Sequence, residues 1–206
     1  LQITLSNIGK RYNNEWIFKS LDYTFVSGEA YVIQGANGSG KSTLLQTLSG
    51  YIIPSEGTIN YKEKDKTINT DTIFKSVSIA SPYLELIEEY SFAEMVEFQG
   101  HFKPFIHNLT PQAVIDIAGF KQQPNKPIKY FSSGMKQRAK LALAILADCP
   151  ILLLDEPISN LDKKVRVWYK DLVNEYAMQK LIVVCSNQQS DEYAFCKHQI
   201  NIEDYK

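Results

Sequence analysis

Leu1, Ile3 and Leu5 alternate with polar residues at the start of the chain, the period of two that puts every second side chain on one face of a strand. That pattern predicts a strand over residues 1–8, and residues 17–25 read as a second. A short apolar run, Ala30–Gln34, enters a glycine-rich turn, and a helix is predicted to start near Lys41. Residues 58–61 and Val77–Ala80 are two more strand candidates. The period then changes. Phe92, Met95, Val96 and Gln99 recur at helical spacing, as do Ala113, Ile117 and Ala118, while Pro104, Pro111, Pro124 and Pro127 divide the region into several short helices. Residues 151–154 and 181–184 are continuously apolar, as strands buried on both faces are, with a helix predicted over 163–178 between them. Strands alternating with helices predict an α/β fold, with a mainly helical insertion near 82–148 in one domain over 1–206.

With 206 residues the chain is long enough to bury one substantial core. Its 44% hydrophobic and 22% charged residues are ordinary for a globular protein, and a formal net charge of -1 gives no reason to expect a nucleic-acid partner. Cys149, Cys185 and Cys196 have neither metal-ligand nor disulfide-framework spacing, and a reducing compartment fits them. The apolar stretches at 141–147 and 151–154 fall far short of the roughly 20 residues that span a bilayer, and no signal peptide opens the chain. A cytoplasmic protein is expected. Because the chain opens at Leu1 rather than Met, a few native residues are expected to have been trimmed.

The densest chemistry lies in Gly35-Ala36-Asn37-Gly38-Ser39-Gly40-Lys41-Ser42, followed by Thr43. This is a Walker A pattern between a predicted strand and a predicted helix. Its glycines let backbone N–H groups converge on phosphates, and the helix adds its positive dipole end. Lys41 is expected to reach the β- and γ-phosphates of ATP, Ser42 to ligate Mg²⁺, and Thr43 to add a contact to the α-phosphate. A chance Gly/Ser-rich turn is the competing reading, and the strand before and helix after argue against it.

The run 151–154 ends in Asp155 and Glu156. A carboxylate at the C-terminal edge of a parallel strand faces the ligand crevice. Asp155 is therefore expected to hold Mg²⁺ as a Walker B aspartate, and Glu156 to accept a hydrogen bond from the attacking water as general base. Without the phosphate loop upstream, two acids after an apolar run would read as a solvated strand end.

Phe131-Ser132-Ser133-Gly134-Met135-Lys136-Gln137-Arg138 and the later Ser159-Asn160-Leu161-Asp162 decide among P-loop families. The first resembles the signature of ABC transporter ATP-binding subunits, usually Leu-Ser-Gly-Gly-Gln, and the second the D-loop of that family. The resemblance covers essentially the whole chain. It implies a P-loop core with a mainly parallel sheet, an antiparallel β subdomain and a helical insertion. It also implies two subunits paired head to tail, each ATP lying between Walker A of one and Ser132 and Gly134 of the other. Tyr12 matches the aromatic that stacks on adenine, with Trp16 as competitor and a half-buried strand residue as the bland alternative. Separate transmembrane permease subunits are implied, which would hold the chain on the inner face of the membrane; Tyr83, Leu84, Leu86 and Tyr90 are candidate contacts or core residues.

Three departures qualify the resemblance. Ser133 and Met135 replace Gly and Gln in the signature, a form found in ATPases of ABC-2-type exporters. Ser81 stands at the Q-loop Gln, where a hydroxyl needs a bridging water to reach the metal. Asn187 stands at the switch His; its amide donates to phosphate but cannot become cationic, and Ser186 or Gln188 could act instead. Slow turnover is expected. His101, His107 and His198 are read as solvated surface residues, and the 62–66 charge cluster as a solvated hairpin. The leading function is an ATP-hydrolysing subunit that powers a transporter; the alternative is a nucleotide-gated assembly module with weak hydrolysis. A chromosome- or ribosome-associated ATPase would need a coiled-coil insertion or a second cassette, and the chain shows neither.

Overall fold

The computed structural model describes residues 1–64, 66–159, 161–187 and 189–206. Two sheets organise the chain. β1 (Gln2–Tyr12), β2 (Glu15–Val26), β4 (Glu56–Glu63) and β5 (Lys66–Ile68) form an antiparallel sheet in the order β2-β1-β4-β5. β3 (Ala30–Gln34), β6 (Val77–Ala80), β7 (Ile151–Asp155), β8 (Leu181–Ser186) and β9 (His198–Asn201) form a parallel sheet in the order β6-β7-β8-β3-β9. α1 (Lys41–Leu48) follows β3, and α2 (Phe92–Phe102), α3 (Pro111–Ile117) and α4 (Ser133–Leu146) fill the span between β6 and β7. α5 (Lys163–Tyr176) connects β7 to β8, and α6 (Ser190–Tyr193) precedes β9. This is the expected mixed α/β fold.

The central strands are apolar throughout because both of their faces are covered. On β7, Leu152 and Leu154 enter the core under α2–α5, while Ile151 and Leu153 enter the core shared with α1 and the antiparallel sheet. On β8, Ile182 and Val184 take the first side and Leu181, Val183 and Cys185 the second. The two cores are thus built on the period of two within one run of residues.

Helix starts follow local signals. Ser91 and Glu94 form a reciprocal capping box on α2, Thr110 caps α3 with Pro111 at its first turn, and Asp162 accepts from the Val165 N–H at 3.0 Å to cap α5. β1 outruns its expected end at residue 8. Register shifts between Leu5 and Ile8, Ile8 and Lys10, and Lys10 and Arg11 break its alternation, so its second half has no simple period. β5 and β9 were not anticipated: only Ile200 is buried in β9, and its strand state comes from pairing with β3. His198 also departs from the expected solvated position, being half-buried and stacked on Tyr31 with ring centroids 4.8 Å apart. His101 and His107 are exposed. The 62–66 charges flank the β4–β5 turn, with Asp65 outside the described residues.

Candidate functional site

Parallel pairing brings the carboxyl ends of β6, β7, β8 and β3 to one edge. Ala80 lies opposite Leu154, Asp155 opposite Cys185, and Gln34 opposite Ser186. The residues that leave these strand ends, Ser81, Glu156, Asn187 and Gly35, therefore assemble along one crevice although they span most of the sequence.

The loop after β3 is tightly built. Gly40 has φ 106°, and a Cβ there would meet Ile17 Cγ2 of β2 at 2.5 Å, so only glycine fits both the backbone and the contact. A Cβ on Gly35 would strike Ser39 Oγ at 2.5 Å. Ala36, Asn37 and Gly38 are exposed at the tip. Lys41 is buried, and its Nζ donates to the carbonyls of Gly35 at 2.8 Å and Ala36 at 2.9 Å. Ser39 Oγ is buried without a hydrogen-bond partner among the described residues. An ammonium folded back on loop carbonyls and an orphaned hydroxyl in the same turn suit a phosphate chain, which would offer both a better acceptor. Ser42 and Thr43, half-buried, open α1 behind Lys41.

Asp155 is 3% exposed. Burial raises its pKa above the usual carboxylate range, opposed by hydrogen bonds from the side chains of Ser42 and Ser81. Ser81 Oγ donates to Asp155 Oδ2 at 3.3 Å, so two hydroxyls and one carboxylate already face one another, an all-oxygen set that suits Mg²⁺. Glu156 adopts φ 45°, a left-handed conformation that costs a non-glycine residue about 1–3 kcal/mol, and its N–H donates to Cys185 O at 2.9 Å. Its Oε1 accepts a hydrogen bond from Asn187 Nδ2. Asn187 Oδ1 is buried without a partner among the described residues.

Ser132 and Gly134 lie at the start of α4 rather than at a strand end. Ser132 is exposed and caps α4 by accepting from the Met135 N–H at 3.3 Å. Tyr12, at the end of β1, is 49% exposed, with Lys10 Nζ 5.2 Å from its ring centroid. Trp16 is half-buried, with the Arg11 guanidinium 5.5 Å from its ring. Ile17, next to Trp16, is the residue that touches Gly40, so the β1–β2 hairpin leans on the phosphate loop. Asn160 and Gln188 lie outside the described residues.

The sequence profile of the ABC transporter family matches residues 18–159. This chain belongs to the ABC transporter family. An uncharacterised ABC transporter ATP-binding protein of Bacillus subtilis, YybJ, is 31% identical over 94% of the chain and 89% of its own length. The cytochrome c biogenesis ATP-binding export protein CcmA of Agrobacterium fabrum is 28% identical over 92% of the chain and 90% of its own length. The dimeric post-hydrolysis structure of the ATP-binding cassette MJ0796, bound to ADP and Pi, superposes with a TM-score of 0.81 over 98% of this chain and 94% of that one, at 22% identity. The chain is thus an ATP-binding subunit of an ABC transporter, and the family implies ATP hydrolysis.

Several residues of this ATP-binding subunit act at the site without an obvious sequence signal. Gln137, buried on α4, donates to Pro157 O at 2.9 Å and ties the signature helix to the turn after Glu156. Lys140 donates to Ser81 O at 3.3 Å and Pro82 O at 3.2 Å. Glu203 accepts from the Ala36 N–H at 2.9 Å and steadies the phosphate loop. A buried glutamine in an amphipathic helix was the one readable hint. The other two depend on chain segments that meet only in the fold.

Proposed function

We propose that the crevice binds Mg-ATP and hydrolyses it. The convergence of Lys41, Ser42, Ser81, Asp155, Glu156 and Asn187 on one sheet edge carries this reading. Backbone N–H groups of the Gly35–Thr43 loop, other than that of Ala36 which Glu203 holds, cradle the phosphates, with Lys41 moving from its carbonyl partners to the β- and γ-oxygens. Ser42 and Asp155 would hold Mg²⁺, with Ser81 beside them, and the ion would supply charge neutralisation on the phosphates. Glu156 accepts the proton of the attacking water, and Asn187 donates to the γ-phosphate in place of a histidine. Tyr12 stacks on adenine.

Residues 1–206 act as one ABC ATPase domain, and two copies pair head to tail so that Ser132 and Gly134 of one subunit complete the site of the other. The helix N-terminus at Ser132 supports that placement, since its free N–H groups favour an anion. A 290 Å³ groove lined by Ala80, Leu84, Met95, Phe98, Leu143 and Ala144, with Tyr83 exposed beside it, suits an apolar segment of a permease. Leu86, half-buried, lines the same groove, whereas Tyr90 does not. No helix among the described residues is long and apolar enough to cross a membrane, so separate permease chains would hold the subunit at the inner membrane face. The signature variant and the export role in the name of the CcmA relative favour an ABC-2-type exporter. The Asn187 contact on Glu156 favours a second reading, a nucleotide-gated assembly module with slow hydrolysis.

Titration of the purified chain with Mg-ATP tests the site. Lys41→Ala removes the loop's charged donor and should weaken binding at least tenfold, because charge-assisted hydrogen bonds are each worth about 1.5–3 kcal/mol. Equal affinity in the variant would overturn the assignment.

A further inference from the structure

Glu192 is 1% exposed and, with Asp155, one of two fully buried acids among the described residues. Three elements hold it. Ser186, at the end of β8, donates its hydroxyl to Glu192 Oε2. The backbone of Ile158, in the turn after Glu156, faces the carboxylate closely enough to favour its charged form. Tyr169 of α5, itself fully buried, donates its hydroxyl to Glu192 O at 3.0 Å. Arg166 lies within electrostatic range of the carboxylate, and its Nε donates to Leu161 O at 2.9 Å. Glu192 Oε1 has no partner among the described residues.

A carboxylate sunk in a core with one oxygen unpaired works against stability, so packing alone does not account for it. Its placement does. Ser186 precedes Asn187, and Ile158 follows Glu156 by two residues. One carboxyl group therefore sits between the two backbone segments that present the Glu156–Asn187 pair, bonded to one through Ser186 and facing the other at Ile158. We infer that Glu192 is a positioning residue, clamping the turn at Glu156–Ile158 to the end of β8 so that Glu156 and Asn187 meet in fixed register. This rests on the reading of Glu156 as general base, and it assigns Glu192 no contact with substrate. Chemistry of this kind is sensitive to displacement: a 1 Å misplacement can cost about 10²-fold in rate.

Steady-state phosphate release at saturating Mg-ATP, an independent ATP titration, and hydrogen exchange of the backbone after Asp155 test the clamp together. Glu192→Ala should lower maximal turnover about tenfold or more, leave ATP affinity within about twofold, and speed amide exchange in the turn after Asp155. Glu192→Gln keeps an acceptor oxygen for Ser186 and should recover most of the turnover. Ser186→Ala deletes only the donor hydroxyl and should shift turnover and exchange in the same direction by about threefold, which keeps the test decisive if Glu192→Ala does not fold. Turnover and exchange unchanged in both Glu192→Ala and Ser186→Ala would overturn the inference. So would loss of ATP affinity in step with turnover, the mark of a residue that shapes the nucleotide-binding loop rather than the Glu156–Asn187 pair. Glu156→Gln runs alongside. If it retains turnover, the base assignment fails while exchange still decides the clamp; if it is inactive and Glu192→Ala turns over normally, the clamp alone fails.

Discussion

Asn187 stands where the family resemblance places a histidine, and its amide is occupied: Nδ2 donates to Glu156 Oε1. The same amide cannot serve the γ-phosphate and the base at once without sharing its two hydrogens. Loss of one preorganised donor costs about 10²–10³ in rate, and an asparagine that keeps a neutral donor should incur part of that. Asn187→His should therefore raise turnover about tenfold, equivalent to about 1.4 kcal/mol, with little change in ATP affinity. Phosphate release at saturating Mg-ATP checks it, and a variant no faster than the parent would remove the reason for calling this ATPase impaired. The residue type was visible in the sequence. Its partner was not, because the contact joins the ends of two strands whose adjacency only the sheet creates.

Among the elements, α4 has its start and its end fixed by different means. Ser132 caps the start locally, whereas the last carbonyls are met by Lys180, which is 5% exposed and donates to Ile145 O at 2.8 Å and Ala147 O at 2.6 Å. Burial lowers its pKa from 10.5 to about 8, and the neutral amine keeps enough hydrogens for both bonds. The folded value lies below the unfolded one, so between about pH 8 and 10.5 the unfolded chain binds more protons. Stability contributed by this group must then rise with pH across that window and stay flat below it. In urea unfolding from pH 7 to 10.5, the wild type minus Lys180→Met difference should grow in favour of the wild type above about pH 8. A difference independent of pH would refute the assigned shift.

At the scale of the whole molecule, the crevice holds the glycine-rich loop, both acids and Asn187, while Ser132 is exposed at the start of α4. Under the head-to-tail pairing proposed above, that exposed helix start would complete the site of a second copy. Glu156→Gln keeps size and hydrogen bonding but removes the base, so with Mg-ATP it should accumulate a dimer that the parent forms only transiently. Light scattering decides this, and a strict monomer at high concentration would count heavily against head-to-tail pairing. The sequence by itself determined the glycine-rich loop after β3, the acids at the end of β7, the capped start of α4 and the central strands, because each rests on local spacing: glycines where the backbone turns with positive φ, apolar runs where both strand faces are covered. Tertiary structure alone decided the rest. β9 is a strand because β3 offers it an edge, Ser81 reaches Asp155 because β6 lies beside β7, and Glu192 is buried because α6 folds over the end of β8. Such contacts join residues far apart in the chain, and no local period or propensity encodes which strand edges will meet.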